Sequence, residues 1–210
     1  MPDSSTPKIQ RLKPAAKISG KTPLKGKGIA YYITYPEYQA KTMKGTAFPT
    51  GHAGVLFVDE NGNTRYREYG RYANKGMRDA ILGRVNDPVE VPDVEMHNGV
   101  PTRKSLNQVF RHLSKSQYGN PAGAITAHPY DVKDIAAGLG YADSLYAERK
   151  NPLRKQDGHK YAIMSNNCST FANECINRAG GNAPTWGLKH ILPVANTWLN
   201  SKDIEYNTKK

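Results

Sequence analysis

The chain holds two cysteines, Cys168 and Cys175, among 210 residues. Cys168 follows Ser165-Asn166-Asn167, a run of good helix-capping residues. It opens an apolar stripe, Cys168, Phe171, Ala172, Cys175, Ile176 and Ala179, at helical spacing, and Gly180-Gly181 ends that helix. Unsatisfied N–H groups and the helix dipole favour a negative charge at such a start, so a thiol there carries a larger thiolate fraction. The same N–H groups could hold the oxyanion formed when a thiolate attacks a carbonyl. A thiolate nucleophile also needs a base, and the base needs a polar group to orient it. His52 opens the apolar run Ala53–Val58 and offers the base. After the hairpin signal Asn61-Gly62, the returning strand Thr64–Gly70 brings either Glu68 or Tyr69 to the face of His52, depending on a one-residue choice of register. Glu68 is the candidate orienter. Cys175 lies two helical turns beyond Cys168, roughly 10 Å away, too far for a disulfide, and reads as core.

These residues need a scaffold, and the pattern supplies one. Ile29–Tyr35 is rich in β-branched and aromatic residues and predicts a strand that Pro36 ends. Residues 85–101 carry Pro88, Pro92 and Pro101 among valines, which predicts irregular extended chain with one edge strand. Leu106, Val109, Phe110 and Leu113 predict an amphipathic helix starting near Thr102 or Ser105. Ala122–Thr126 predicts a strand. Asp131 is the expected cap of a second helix through Val132, Ile135, Ala136, Leu139, Leu145 and Tyr146. Asn151–Gly158 reads as a polar loop and Lys160–Met164 as a short strand leading to Cys168. Trp186, Leu188, Ile191, Leu192, Val194 and Trp198 are expected to pack back on the core.

Composition narrows the function classes. No apolar run approaches the roughly 18 residues of a membrane span, and two cysteines cannot build a disulfide framework. The N-terminus has no apolar segment of secretory type. The six histidines show no i, i+4 pair, and Cys-x-x-Cys is absent, so neither a metal nor another cofactor is expected. Phosphate-loop, dinucleotide and Gly-x-Ser-x-Gly signatures are missing too. The net charge is +12, and residues 1–28 hold seven basic residues against Asp3 alone, half of the net charge. That stretch, with Pro2, Pro7, Pro14 and Pro23, reads as a mobile basic arm, with a solvated tail favoured over attraction to a polyanion. Residues 29–205 form the expected single domain, and 206–210 a polar tail.

Two segments carry a family resemblance. Thr50-Gly51-His52-Ala53-Gly54-Val55-Leu56-Phe57-Val58 resembles the His box of circularly permuted NlpC-type papain-like hydrolases. Asn166-Asn167-Cys168-Ser169-Thr170-Phe171-Ala172 resembles their Cys box, Asn-Cys-x-x-Phe. The order, His strand before Cys helix, is that of the permuted members, shared by the lecithin:retinol acyltransferase group. The resemblance implies an α+β, papain-like fold, with a central antiparallel sheet packed on the helix that carries the nucleophile. It implies Cys168 as nucleophile, His52 as base, and a polar residue of the next strand, here Glu68, as third member. The implied activity is amide cleavage in the peptide stems of peptidoglycan. With the basic arm it also resembles antibacterial effectors of type VI secretion, which act in the periplasm of a target bacterium and have a cognate immunity protein and a secretion-system carrier. Two other readings remain: a lipid-ester acyltransferase or lipase with the same Cys-His pair, and a nucleic-acid-binding module that uses the arm and leaves Cys168 structural. Salt-sensitive binding that vanishes without residues 1–28 marks the last.

Overall fold

A computed structural model describes residues 23–38, 40–41, 47–48, 51–70, 83–86, 88–116, 123–148, 162, 165–187, 192–193 and 204–206. In chain order the elements are β1 (Gly28–Tyr35), β2 (Ala40–Lys41), β3 (Ala47–Phe48), β4 (His52–Asp59), β5 (Thr64–Gly70), β6 (Arg84–Val85), β7 (Met96–His97), β8 (Val100–Pro101), α1 (Arg103–Ser116), β9 (Ile125–Val132), α2 (Ile135–Glu148), α3 (Cys168–Arg178) and β10 (Ile204–Tyr206). Six strands form one sheet in the order β10-β9-β1-β4-β5-β6, every pair antiparallel. The long strands β9, β1, β4 and β5 make its centre. This is the expected α+β, papain-like architecture.

Helices cover both faces of the sheet, so β1 and β4 are apolar nearly throughout instead of alternating with polar residues. Alternation then sorts side chains between two cores. Tyr32, Val55 and Phe57 meet α2 and α3 through Ile135, Phe171, Ala172 and Ile176. Tyr31, Ile33, Leu56 and Val58 meet Leu106, Val109, Phe110 and Leu113 of α1. Each fully buried side chain of this size contributes about 1.5–3 kcal/mol over exposure. The α2–α3 contact depends on Gly138, where an added Cβ would lie 2.6 Å from the Cys175 carbonyl oxygen and 2.8 Å from Phe57 Cζ.

Several expectations are displaced. Asp131 does not cap α2. It lies in β9 opposite Ile29, and Val132 pairs with Gly28. The chain turns two residues later, where Asp134 accepts a hydrogen bond from the Ala137 N–H at 3.3 Å. The strand expected at Ala122–Thr126 runs instead from Ile125 to Val132, because β1 offers it a continuous ladder. Beyond Ala127 only β1 pairs with β9 among the described residues, an edge setting that accommodates Pro129. Trp186, expected in the core, is 84% exposed, whereas Ala183 just before it is buried.

Leu24 is already buried in the core, and the Gly26 carbonyl accepts from the Ile135 N–H, so the end of the expected arm overlaps the folded body. Tyr206, the first residue of the expected tail, pairs with Ile125. Residues 1–22, the loop at 151–158 and Leu188, Ile191, Val194 and Trp198 lie outside the described residues. Of the strand expected at Lys160–Met164 only Ala162 is described, bridged to Asn166.

Candidate active site

The β4–β5 hairpin fixes which residue faces His52. Its turn is set by Asp59, whose Oδ1 accepts from the N–H groups of Asn61 and Asn63 at 2.9 Å while Oδ2 accepts from Asn63 Nδ2 at 2.8 Å. Gly62 takes φ +84, which a side chain would disfavour. The register that follows pairs Gly54 with Glu68 and Leu56 with Tyr66. Glu68, not Tyr69, therefore shares the face of His52. His52 Nε2 lies 3.2 Å from Glu68 Oε2. Tyr69 points to the other core and stacks on Phe171.

Cys168 reaches the same place from α3. Asn167 caps that helix, its side chain accepting from the Ser169 and Thr170 N–H groups at 2.8 and 3.0 Å. Thr170 Oγ1 accepts from the Asn167 N–H at 2.9 Å and completes a capping box. The hydroxyls of Ser169 and Tyr32 share a hydrogen bond that ties this first turn to β1. The Cys168 side chain hydrogen-bonds His52. The three expected residues are thus in one chain of contact, and Cys168, His52 and Glu68 are 3%, 6% and 5% exposed.

At that burial, charges interact strongly. Burial opposes a charge on His52, but the Cys168 charge and hydrogen bond, followed by those of Glu68, raise its pKa from 6.5 to about 10. Burial alone would raise the Glu68 pKa. The hydrogen bond and charge of His52, with hydrogen bonds from Asn86 and Tyr66, bring it down from 4.5 to about 2. These directions favour an imidazolium held against the Glu68 carboxylate, with Cys168 on its other side. Cys175 differs: burial pushes its thiol well above the usual range, which suits inert core.

The cap alters one expectation. The Ser169 and Thr170 N–H groups already donate to Asn167 Oδ1, so they are not the oxyanion donors that a helix start suggests.

Four neighbours of the site were not anticipated. Tyr66 donates to Glu68 Oε2 at 2.9 Å, and Asn86 Nδ2 donates to Oε1 at 2.8 Å. Tyr35 donates to the Tyr66 hydroxyl at 3.1 Å and stacks on His52 with ring centroids 5.8 Å apart. Tyr38 lies over the same imidazole at 5.2 Å. Tyr66 could have been found, since it stands two residues before Glu68 on one strand face. Asn86, 18 residues on in β5's other neighbouring segment, left no local signal. Among the described residues no cluster of His, Cys, Asp and Glu fits a metal ion, and no helix is long and apolar enough to cross a membrane.

Comparison with known proteins adds an independent line. A family described as type VI secretion system effector TseH-like matches residues 25–183. The crystal structure of the type VI secretion system effector TseH is similar over 88% of this chain and 94% of its own, with a TM-score of 0.70 and 26% sequence identity. No curated protein sequence matches this one.

Proposed function

The chain belongs to the TseH-like family of type VI secretion system effectors, and on that basis we propose that it is a cysteine hydrolase that cleaves amide bonds in the peptide stems of bacterial peptidoglycan. The observation that carries the chemistry is the buried contact of Cys168, His52 and Glu68. The choice of peptidoglycan rests on the NlpC-type resemblance of the two boxes and on the basic balance of the chain, which suits a large anionic polymer. A secreted effector of this kind acts in the periplasm of the target cell, and a cognate immunity protein protects the producer.

Glu68 occupies Nε2 of His52, so the proton exchanged with Cys168 is the one at Nδ1. The Cys168 thiolate attacks the amide carbonyl carbon, and the carbonyl π electrons move to oxygen. Collapse of that intermediate expels the amine, which takes the proton from His52 Nδ1 and leaves a thioester on Cys168. Water then attacks the thioester with neutral His52 as base. The acid leaves, and the thiolate–imidazolium pair returns. Glu68 keeps the imidazole oriented and its positive form stable through the cycle.

Incubation of purified peptidoglycan with wild type and with Cys168→Ala, read by mass spectrometry, tests this. New stem-peptide fragments from wild type alone are expected, and they identify the bond. Equal fragments from both proteins would remove Cys168 from the chemistry. No fragments from a folded wild type would remove peptidoglycan, and release of fatty acid from anionic vesicles would then move the site to lipid esters.

A further inference from the structure

A buried carboxylate beside an imidazole has two ways to share a proton: as Glu⁻ with His⁺, or as neutral Glu with neutral His. Burial favours the neutral pair, since it removes both charges from water. The proposed chemistry needs the charged one, because only an imidazolium supports the Cys168 thiolate and protonates the leaving amine. Something must therefore hold the negative charge on Glu68.

We infer that Tyr66 and Asn86 are positioning residues that clamp Glu68 as a carboxylate, and that Gly54 exists to admit the Tyr66 ring. The inference rests on the catalytic reading of Cys168, His52 and Glu68 given above. Both donors point at the carboxyl group from different elements, Tyr66 Oη at Oε2 and Asn86 Nδ2 at Oε1. Asn86 is itself pinned, its backbone N–H donating to the Glu68 carbonyl at 3.0 Å. Tyr35 donates to the Tyr66 oxygen, which turns the Tyr66 proton toward Glu68. Both Tyr66 and Asn86 are buried, so water does not replace them at no cost.

Gly54 is the register partner of Glu68 on β4. A Cβ there would overlap the Tyr66 hydroxyl and stand 2.6 Å from ring carbon Cζ. The ring thus lies across the strand over the glycine, and this is how its hydroxyl reaches both Tyr35 and Glu68. The groups bearing on Glu68 include His52 from β4, Tyr66 on its own strand with Tyr35 of β1 behind it, Asn86 after β6, and Cys168 of α3 across the imidazole. Arg67 faces away and pairs with Asp143 of α2 at 2.9 Å.

The test uses Tyr66→Phe, Asn86→Ala and the double variant, each checked for fold by circular dichroism. The Glu68 carboxyl is followed by ¹³C NMR against pH, and iodoacetamide alkylation of Cys168 is measured at pH 7. Each lost donor should raise the Glu68 midpoint by about one pH unit, and the double variant by about two. A Glu68 midpoint of about 4 still leaves carboxylate and imidazolium populated at pH 7, so alkylation there should match wild type in every folded variant and reports that the site is intact. Gly54→Ala should reproduce Tyr66→Phe. A folded double variant whose Glu68 midpoint matches wild type overturns the clamp. If Tyr66→Phe fails to fold, Asn86→Ala decides by the same readouts. Neither readout needs a substrate, so shifted midpoints with inert peptidoglycan keep the clamp and sink the substrate. Unmoved midpoints with peptidoglycan cleaved do the reverse.

Discussion

Replacing Glu68 by Gln keeps the shape of the side chain and removes its charge, so it isolates the electrostatic role of the third residue. His52 Nε2 and Glu68 Oε2 are 3.2 Å apart. Taking about 4 Å between charge centres and an effective dielectric constant of about 20, their attraction is about 4 kcal/mol. At 1.36 kcal/mol per unit that is up to about three units of His52 pKa. The wild-type value is about 10, and Cys168, named ahead of Glu68 among the groups that raise it, remains in the variant. His52 of Glu68→Gln should therefore titrate lower, but no lower than about 7. Hydrogen bonding adds to the loss. A Gln oxygen turned to His52 and Tyr66 sets its NH₂ against Asn86 Nδ2, so Asn86 must flip or the contact is lost. The assay is a ¹³C and ¹⁵N NMR titration of the His52 ring from pH 5 to 10.5. A midpoint within about half a unit of wild type would show that Glu68 is a neighbour of His52 and not its electrostatic partner.

Two further outcomes follow from the same geometry. Asn167→Ala removes the acceptor of two α3 N–H groups and half of a capping box, and should lower stability by about 1 kcal/mol in urea unfolding; an unchanged midpoint would mean that solvent serves the helix start equally well. Glu68 titrates near 2 when folded against a usual 4.5, so its contribution is complete above pH 4.5 and is lost as pH falls through about 2. The stability gap between wild type and Glu68→Gln, measured by urea unfolding, should narrow below pH 4.5 and close near pH 2, and a gap that stays constant would refute the depressed pKa.

The sequence was most legible where one residue's chemistry demanded another. A cysteine behind a capping cluster asks for a base, and the His52 strand, its hairpin and Glu68 all lie within one local unit. The structure places all three in contact, and the register picks Glu68 over Tyr69. Local signals also located β1, α1 and α3. What was hidden depends on contacts distant in sequence. Asp131 and Val132 look like a helix start until β1 is seen to pair with them. Asn86 acquires its role only when β6 docks on β5. Trp186 suggests a core residue by type alone, yet it stands exposed three residues after the buried Ala183.

The capping cluster pointed to Cys168 for a reason that the structure reweights. A helix start attracts negative charge, but in magnitude this is about 0.3–1 kcal/mol at ordinary exposure and up to about 2 kcal/mol when partly buried. Here Asn167 also takes the Ser169 and Thr170 N–H groups. The neighbouring imidazolium acts at hydrogen-bond range in a dry site, where an attraction of about 4 kcal/mol is the relevant scale. On the proposed catalytic reading the larger effect decides the thiolate, so the activation of Cys168 belongs to His52 and, behind it, to whatever keeps His52 charged. The helix contributes position: capped at Asn167 and tied to Tyr32 through Ser169, it holds the sulfur against the imidazole. Substitutions at Glu68 of β5, which lies outside both boxes in sequence, should therefore alter the thiol more than changes within the cap do.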